Sequence, residues 1–286
     1  MRFRGVTKST QPAGTETDAE VARLRRQYID LMKGALTHTI YRPIDIVFNN
    51  AGYVVGEEMR ESVEKELSKK DFDWADVRAN GRDWPRFAQT MVGLKRLENV
   101  QHCVESVLTD GVPGDLIETG VWRGGVVIFM RAILEAYGDP DRVVFAADSF
   151  QGLPPPDEQA YPADAGSRLH DAAPLAVTRQ EVERNFKLYG LLDEQVQCLE
   201  GWFKDTLPTV ADRTWAVIRL DGDMYESTMD ALTNLYPQLS PGGFLIVDDY
   251  GFEPCRQAVA DYRAAHGIDE PIEEIDWLGA FWRREQ

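Results

Sequence analysis

Residues 114–125 read Gly114-Asp115-Leu116-Ile117-Glu118-Thr119-Gly120-Val121-Trp122-Arg123-Gly124-Gly125. A short β-prone run ends on an acid, glycines follow at once, and residues 126–137 then form an apolar stretch of helical length. Strand, tight turn and helix in that order are the opening unit of a parallel sheet flanked by helices. The same texture repeats downstream. Strands are predicted at 115–119, 142–148, 196–200, 215–221 and 243–248, and helices at 126–137, 178–189, 227–239 and 254–266. Residues 272–284, with Ile275, Trp277, Phe281 and Trp282 around Leu278-Gly279, predict a hairpin closing the sheet edge. The fold class is therefore α/β.

Upstream the pattern changes. Residues 1–20 are polar and aperiodic and are expected to form a disordered tail. Val21, Leu24, Tyr28, Leu31, Met32 and Ala35 have helical spacing over 20–36. A charged helix is predicted at 57–70, and a third at 84–110 with Phe87, Met91, Leu94, Leu97, Val100 and Val104 on one face. The expected division is a tail (1–20), a helical lid that binds substrate and supports oligomerisation (21–110), and the α/β domain (111–286). Residues 150–175 carry five prolines and no periodicity. A loop this long inside a compact domain reads as a lid or substrate loop, with a disordered insertion as the other reading.

At 286 residues, 43% of them hydrophobic, the chain can bury a sizeable core. Its formal charge of −17 repels phosphate backbones and anionic lipid, so nucleic acid and membranes are not expected partners. No run approaches the roughly 18 apolar residues of a membrane span. The start, Met1-Arg2-Phe3-Arg4, lacks the apolar region of a signal peptide. A cytoplasmic protein is expected. Cys103, Cys198 and Cys255 are far apart and read as reduced thiols. His38, His102, His170 and His266 have no zinc spacing; His170 sits in the proline-rich loop, where a solvated side chain is the plainer reading.

Ligands of open α/β sheets bind beyond the carboxyl ends of the strands. At the end of the first strand, Gly120 and Gly124 permit a tight turn and close backbone approach. Glu118 suits a cationic amino group and would repel a pyrophosphate, and the regular dinucleotide glycine spacing is missing. The second strand ends on Asp148, which can accept hydrogen bonds from both hydroxyls of a ribose. Its other reading is a cap, a task Ser149 can perform instead. After the third strand, Gly201-Trp202-Phe203 can sit against an adenine ring or pack in the core. A ligand with a cationic amino acid end and a nucleoside end is S-adenosylmethionine.

The fourth strand ends Arg219-Leu220-Asp221-Gly222-Asp223 and the fifth ends Val247-Asp248-Asp249-Tyr250. Four carboxylates on adjacent strand ends are unfavourable unless something neutralises them. Mg²⁺ does so with oxygen ligands and keeps positions open for substrate. Asp221, Asp248 and Asp249 are the ligand candidates, the competing reading being that one or two of them cap helices. Asp223 is a candidate base, or orients one, and Asp221 is the second candidate catalytic group.

These residues resemble the macrocin O-methyltransferase family of antibiotic tailoring enzymes. The resemblance spans roughly residues 81–265. It is carried by Asp83-Trp84-Pro85, Thr90-Met91-Val92-Gly93, residues 114–125 and Asp148-Ser149-Phe150-Gln151-Gly152-Leu153-Pro154. Gly201-Trp202-Phe203-Lys204-Asp205-Thr206-Leu207-Pro208, Leu220-Asp221-Gly222-Asp223-Met224-Tyr225-Glu226-Ser227-Thr228 and Asp248-Asp249-Tyr250 complete it. It implies a class I, Rossmann-like methyltransferase fold, a mostly parallel seven-stranded sheet with an N-terminal helical lid. It also implies Mg²⁺ at Asp221, Asp248 and Asp249, coordinated by a vicinal diol of a deoxysugar. The methyl donor would lie against Thr90, Met91, Glu118, Thr119, Gly120, Val121, Arg123, Gly124, Asp148, Ser149, Gly201, Trp202, Phe203 and Asp221. The acceptor would be a glycosylated natural product and the protein a homo-oligomer. The rival readings are a metal-dependent catechol or phenol O-methyltransferase and a non-catalytic module on the same fold.

Overall fold

A computed structural model describes residues 14–40, 74–82 and 87–285. In chain order its elements are α1 (Gly14–Leu36), α2 (Trp74–Ala79), α3 (Leu94–Thr109), β1 (Asp115–Thr119), α4 (Gly125–Tyr137), β2 (Val144–Asp148) and α5 (Arg179–Leu188). They continue as β3 (Val196–Glu200), β4 (Trp215–Leu220), α6 (Tyr225–Leu235), β5 (Leu239–Val247), α7 (Glu253–His266), β6 (Glu273–Glu274) and β7 (Ala280–Arg283). The strands make one seven-stranded sheet in the order β3-β2-β1-β4-β5-β7-β6. β1 to β5 are parallel, and β7 runs antiparallel to β5 and β6. This is the mostly parallel sheet the sequence predicts, with its hairpin at the edge. Strand order reverses between β1 and β4, which places a ligand crevice at their carboxyl ends.

All six residues of β4 are buried, as a central strand covered on both faces must be. One face packs against α1, α3, α4 and α5 through side chains such as Leu97, Val104, Ile128 and Phe186. The other packs against α6 and α7 through Leu232, Leu235, Val259 and Tyr262. Helix α1 lies on α4, burying Ile29, Met32 and Leu36, and the Arg25 guanidinium sits 4.0 Å from the Tyr137 ring centroid. Among the described residues no helix is long and apolar enough to cross a membrane.

The upstream elements differ from expectation in two places. Helix α1 begins at Gly14, inside the expected tail, while the helix predicted at 57–70 and the Asp83-Trp84-Pro85 motif lie outside the described residues. The third predicted helix starts only at Leu94. Residues 87–93 are not helical because their backbone groups are bonded elsewhere. Gln89 N donates to Leu36 O at 3.0 Å, Gly125 N donates to Gln89 O at 2.9 Å, and Arg78 Nη2 donates to the carbonyls of Met91 and Val92. Apolar spacing alone could not reveal those long-range partners.

Residues 150–177 form an ordered loop with three short 3₁₀ turns. Buried Asp164 fastens it, its two oxygens accepting from Tyr225 N at 2.7 Å and Glu226 N at 3.0 Å, the orphan donors at the start of α6. Trp122 Nε1 donates to Pro174 O at 2.8 Å and holds the far end. Asp164→Ala is expected to cost about 2 kcal/mol and to lower the melting temperature by roughly 4–8 °C, measured by calorimetry; an unchanged melt would show that the cap contributes nothing.

Candidate active site

The crevice at the strand-order switch is a cavity of about 510 Å³. Its floor is the turn after β1. Gly120 has φ +84°, and a Cβ there would stand 1.6 Å from the Asp221 carbonyl oxygen, so only glycine lets β1 and β4 approach this closely. Trp122, Phe150 and Asp223, with φ of 49°, 56° and 59°, also adopt left-handed backbone at or beside the cavity. Such strain in non-glycine residues concentrates at functional sites.

Most of the residues singled out in the sequence meet here. Thr90, Met91, Glu118, Gly120 and Val121 line one end of the cavity wall, and Asp148, Ser149, Gly201, Trp202 and Phe203 another. Asp221, Asp223, Asp248 and Asp249 line it beside β4 and β5. Thr119, Arg123 and Gly124 are not part of the lining. Thr119 is buried with its hydroxyl toward Arg219 O, and Gly124 is the left-handed cap of α4. Arg123 Nη1 donates to Ala88 O at 3.0 Å, which secures the 87–93 segment.

Two acids present free acceptor capacity to the cavity. Glu118 is 1% exposed and gives one oxygen to the Arg219 guanidinium, while its Oε2 is buried without a protein partner. Burial raises its carboxyl to about 8 against the opposing pull of Arg219. An unpartnered buried carboxylate oxygen on a cavity wall is a fitting acceptor for an ammonium group. Asp148 accepts from Val121 N at 2.8 Å and Phe150 N at 2.7 Å, so it does serve as a turn cap. Each of its oxygens keeps a further lone pair for a hydroxyl donor. Burial raises its pKa, and hydrogen bonds from the Phe150, Val121 and Trp122 N–H groups and from the Ser149 side chain oppose the rise. Ser149 also closes the turn, its hydroxyl donating to Gly152 O at 2.6 Å.

The three expected cation ligands, Asp221, Asp248 and Asp249, all line the cavity together with Asp223. Oxygens of Asp221, Asp223 and Asp249 lie within 4.8 Å of one another. Asp248 lines the same cavity, one of its oxygens accepting from Arg219 Nη2 and the other from Arg96 Nη1. Arg96 Nε also donates to Asp276 Oδ2 at 3.1 Å. Arg219 Nη1 donates to Asp221 Oδ2 at 2.8 Å, and among the described residues no cationic side chain stands at hydrogen-bond distance from Asp223 or Asp249. Burial, then the charge of Asp248, raises Asp221 to about 6; burial, then Asp221 and Asp248, raises Asp223 to about 7. Burial and the facing Asp223 push Asp249 well above the carboxylate range. Three converging carboxylates, only one of them paired with an arginine, form a set of oxygen donors that fits a hard divalent cation.

Arg219 and Arg96 are absent from the sequence-derived site. The signal for Arg219 was present, since a lone arginine in an otherwise apolar central strand must be paired. Arg96 carried no such mark on a polar-looking first helical turn. Phe252 and Trp277, 40% and 49% exposed, also line the cavity, and the Trp277 indole is fixed by donation to Asn80 O at 2.7 Å.

Comparison with known proteins places this geometry. The family model described as macrocin-O-methyltransferase matches residues 25–284. The chain is 55% identical over 260 residues to the 8-demethyl-8-(2,3-dimethoxy-alpha-L-rhamnosyl)-tetracenomycin-C 4'-O-methyltransferase of Streptomyces olivaceus, covering 91% of this chain and 93% of that protein. It is 50% identical over 263 residues to the mycinamicin III 3''-O-methyltransferase of Micromonospora griseorubida, covering 90% and 96% respectively. Among solved structures, the O-methyltransferase NovP superposes with a TM-score of 0.79 at 47% identity, covering 92% of this chain and 100% of NovP. The calicheamicin methyltransferase CalS11, with a TM-score of 0.55 and 17% identity, shares the fold.

Proposed function

The chain belongs to the macrocin O-methyltransferase family, and from that premise we propose that it methylates a deoxysugar hydroxyl of a glycosylated natural product, using S-adenosylmethionine and Mg²⁺. One observation carries the reading. A single cavity holds a buried acceptor without a partner among the described residues, Glu118 Oε2, and a cluster of converging carboxylates, Asp221, Asp223 and Asp249, of which only Asp221 is paired with an arginine. A cationic methyl donor and a hard cation answer those two needs. The relatives' named substrates, a rhamnosyl tetracenomycin and a mycinamicin, favour a sugar over a catechol.

Each residue then has a task. Glu118 Oε2 would accept from the donor's ammonium group, Asp148 from its ribose hydroxyls, and Trp202 and Phe203 would flank its adenine. Asp221 and Asp249 hold the cation, in keeping with the preference of Mg²⁺ for one or two protein carboxylates with open positions. When bound, the donor supplies an electrophilic methyl group, and the cation lowers the pKa of a sugar hydroxyl. Asp223, whose carboxyl belongs to the same cluster, would take the proton of that hydroxyl. The wall formed by Phe252, Trp277 and Leu278 keeps water from the acceptor and offers an apolar surface to its aglycone.

Calorimetric titration with S-adenosylhomocysteine, with and without Mg²⁺, tests the reading. Micromolar binding of the nucleoside and a separate Mg²⁺ isotherm are expected, followed by mass gain of one methyl group on a rhamnosylated polyketide but not on its aglycone. A protein that binds no S-adenosylhomocysteine in either condition would be a module that keeps the fold without the reaction.

A further inference from the structure

We propose that Arg219 is a positioning residue that ties the methyl-donor site to the cation site, holding Glu118 on one side and Asp221 and Asp248 on the other; this rests on the functional reading above. The sheet register sets the arrangement. Glu118 pairs laterally with Arg219, and Arg219 pairs with Ile246. Side chains alternate faces along a strand, so Glu118 and Arg219 share a side, and Asp221 and Asp248, two residues beyond Arg219 and Ile246, return to it. The fully buried guanidinium fills the gap between them. Its Nη1 serves both Glu118 Oε1 and Asp221 Oδ2, and its Nη2 serves Asp248 Oδ1.

Burying an arginine among carboxylates is a poor source of stability, because desolvation consumes most of the attraction. What a planar fork does well is fix the spacing and orientation of several carboxylates at once. Here the carboxylates are the donor acid, a cation ligand and the acid behind it. Arg96, on the other oxygen of Asp248, keeps that acid from swinging into the cluster, and through Asp276 it braces the turn whose Leu278 and Gly279 N–H groups bond to Asp276 Oδ1. A lysine at 219 would keep the charge, but its single nitrogen cannot span three carboxylates.

The test is Arg219→Lys, compared with wild type by calorimetric titration of S-adenosylhomocysteine and of Mn²⁺ as a probe for Mg²⁺, at a temperature where both proteins are folded. Both dissociation constants are expected to rise about tenfold or more, the scale typical of residues that orient a ligand set. The electron paramagnetic resonance spectrum of bound Mn²⁺ should change shape, which loss of stability alone leaves untouched. Constants that stay within about threefold of wild type, or a change in only one of them, would overturn the link. If the lysine variant fails to fold, Glu118→Gln reads the same connection. With the charge at 118 removed, Arg219 is drawn more strongly to Asp221 and Asp248, and Mn²⁺ affinity should fall about fivefold although residue 118 is no cation ligand; an unchanged Mn²⁺ affinity overturns the inference. Wild-type protein that binds neither ligand would remove the functional reading itself, whereas wild-type binding with an indifferent variant removes only the role of Arg219.

Discussion

Asp249→Asn abolishes the Mg²⁺ isotherm and lowers turnover about a thousandfold, which is about 4 kcal/mol of transition-state stabilisation, while S-adenosylhomocysteine affinity stays within about threefold. The asymmetry follows from where the residue sits. Asp249 contributes to the three-carboxylate cluster, and its one backbone partner, Asp223 N at 3.0 Å, can donate to an asparagine oxygen equally well. The variant therefore removes charge without removing the bond that shapes the turn. It makes no hydrogen bond to Glu118, Asp148 or Arg219, so the donor end has no reason to change. The measurement is a pair of titrations plus a progress curve at saturating donor. Turnover within about threefold of wild type would mean that the cluster binds no cation relevant to the reaction. Loss of both affinities together would mean that Asp249 shapes the whole cavity.

The α/β class and the donor end of the cavity were legible in the sequence because they depend on local pattern. A strand ending in Glu118, a glycine turn and an apolar helix are contiguous residues, and Asp148 ends the next strand in the same way. The acids after β4 and β5 were legible as a cluster for a similar reason, since neighbouring parallel strands bring their ends together. Their internal arrangement was not. Which of four carboxylates faces the cavity centre depends on where Arg96 and Arg219 reach, and one of these stands on a helix 152 residues away from Asp248 in the chain. Asp248, expected among the cation ligands, also accepts one guanidinium hydrogen bond on each oxygen, and nothing in its place at the end of β5 announces those partners. The 87–93 segment was misjudged for the same kind of reason. Its apolar spacing suits a helix, but Arg78, Gly125 and Leu36 claim its backbone groups. The 150–177 loop looked structureless because what orders it is a single carboxylate, Asp164, reaching the start of α6.

Asp223→Asn is expected to separate activity from stability in opposite directions. Turnover should fall by about 10²–10⁴, the usual contribution of a positioned general base, with Mg²⁺ and S-adenosylhomocysteine still bound. In chelator, the same variant should be more stable than wild type by on the order of 1 kcal/mol. Asp223 is half-buried beside Asp221 and Asp249, and desolvation, then the charges of Asp221 and Asp248, raise its carboxyl to about 7, so above neutrality the folded state carries a charge it does not favour. The unfolded chain carries that charge at no cost, so for a raised carboxyl the destabilisation is present above the folded pKa and fades as pH falls through it. Asparagine removes the charge and keeps the shape, and it tolerates the left-handed φ of 59° at this position as readily as aspartate does. The gain measured by chemical denaturation should therefore be larger at pH 8 than at pH 6, and it should shrink when Mg²⁺ is added, because the cation neutralises the cluster in wild type. A variant that loses activity and stability together would assign Asp223 to holding the turn after β4. One that keeps turnover would move the proton acceptor to another group. A stabilised and inactive variant would show that the unfavourable charge is retained at this site for the reaction.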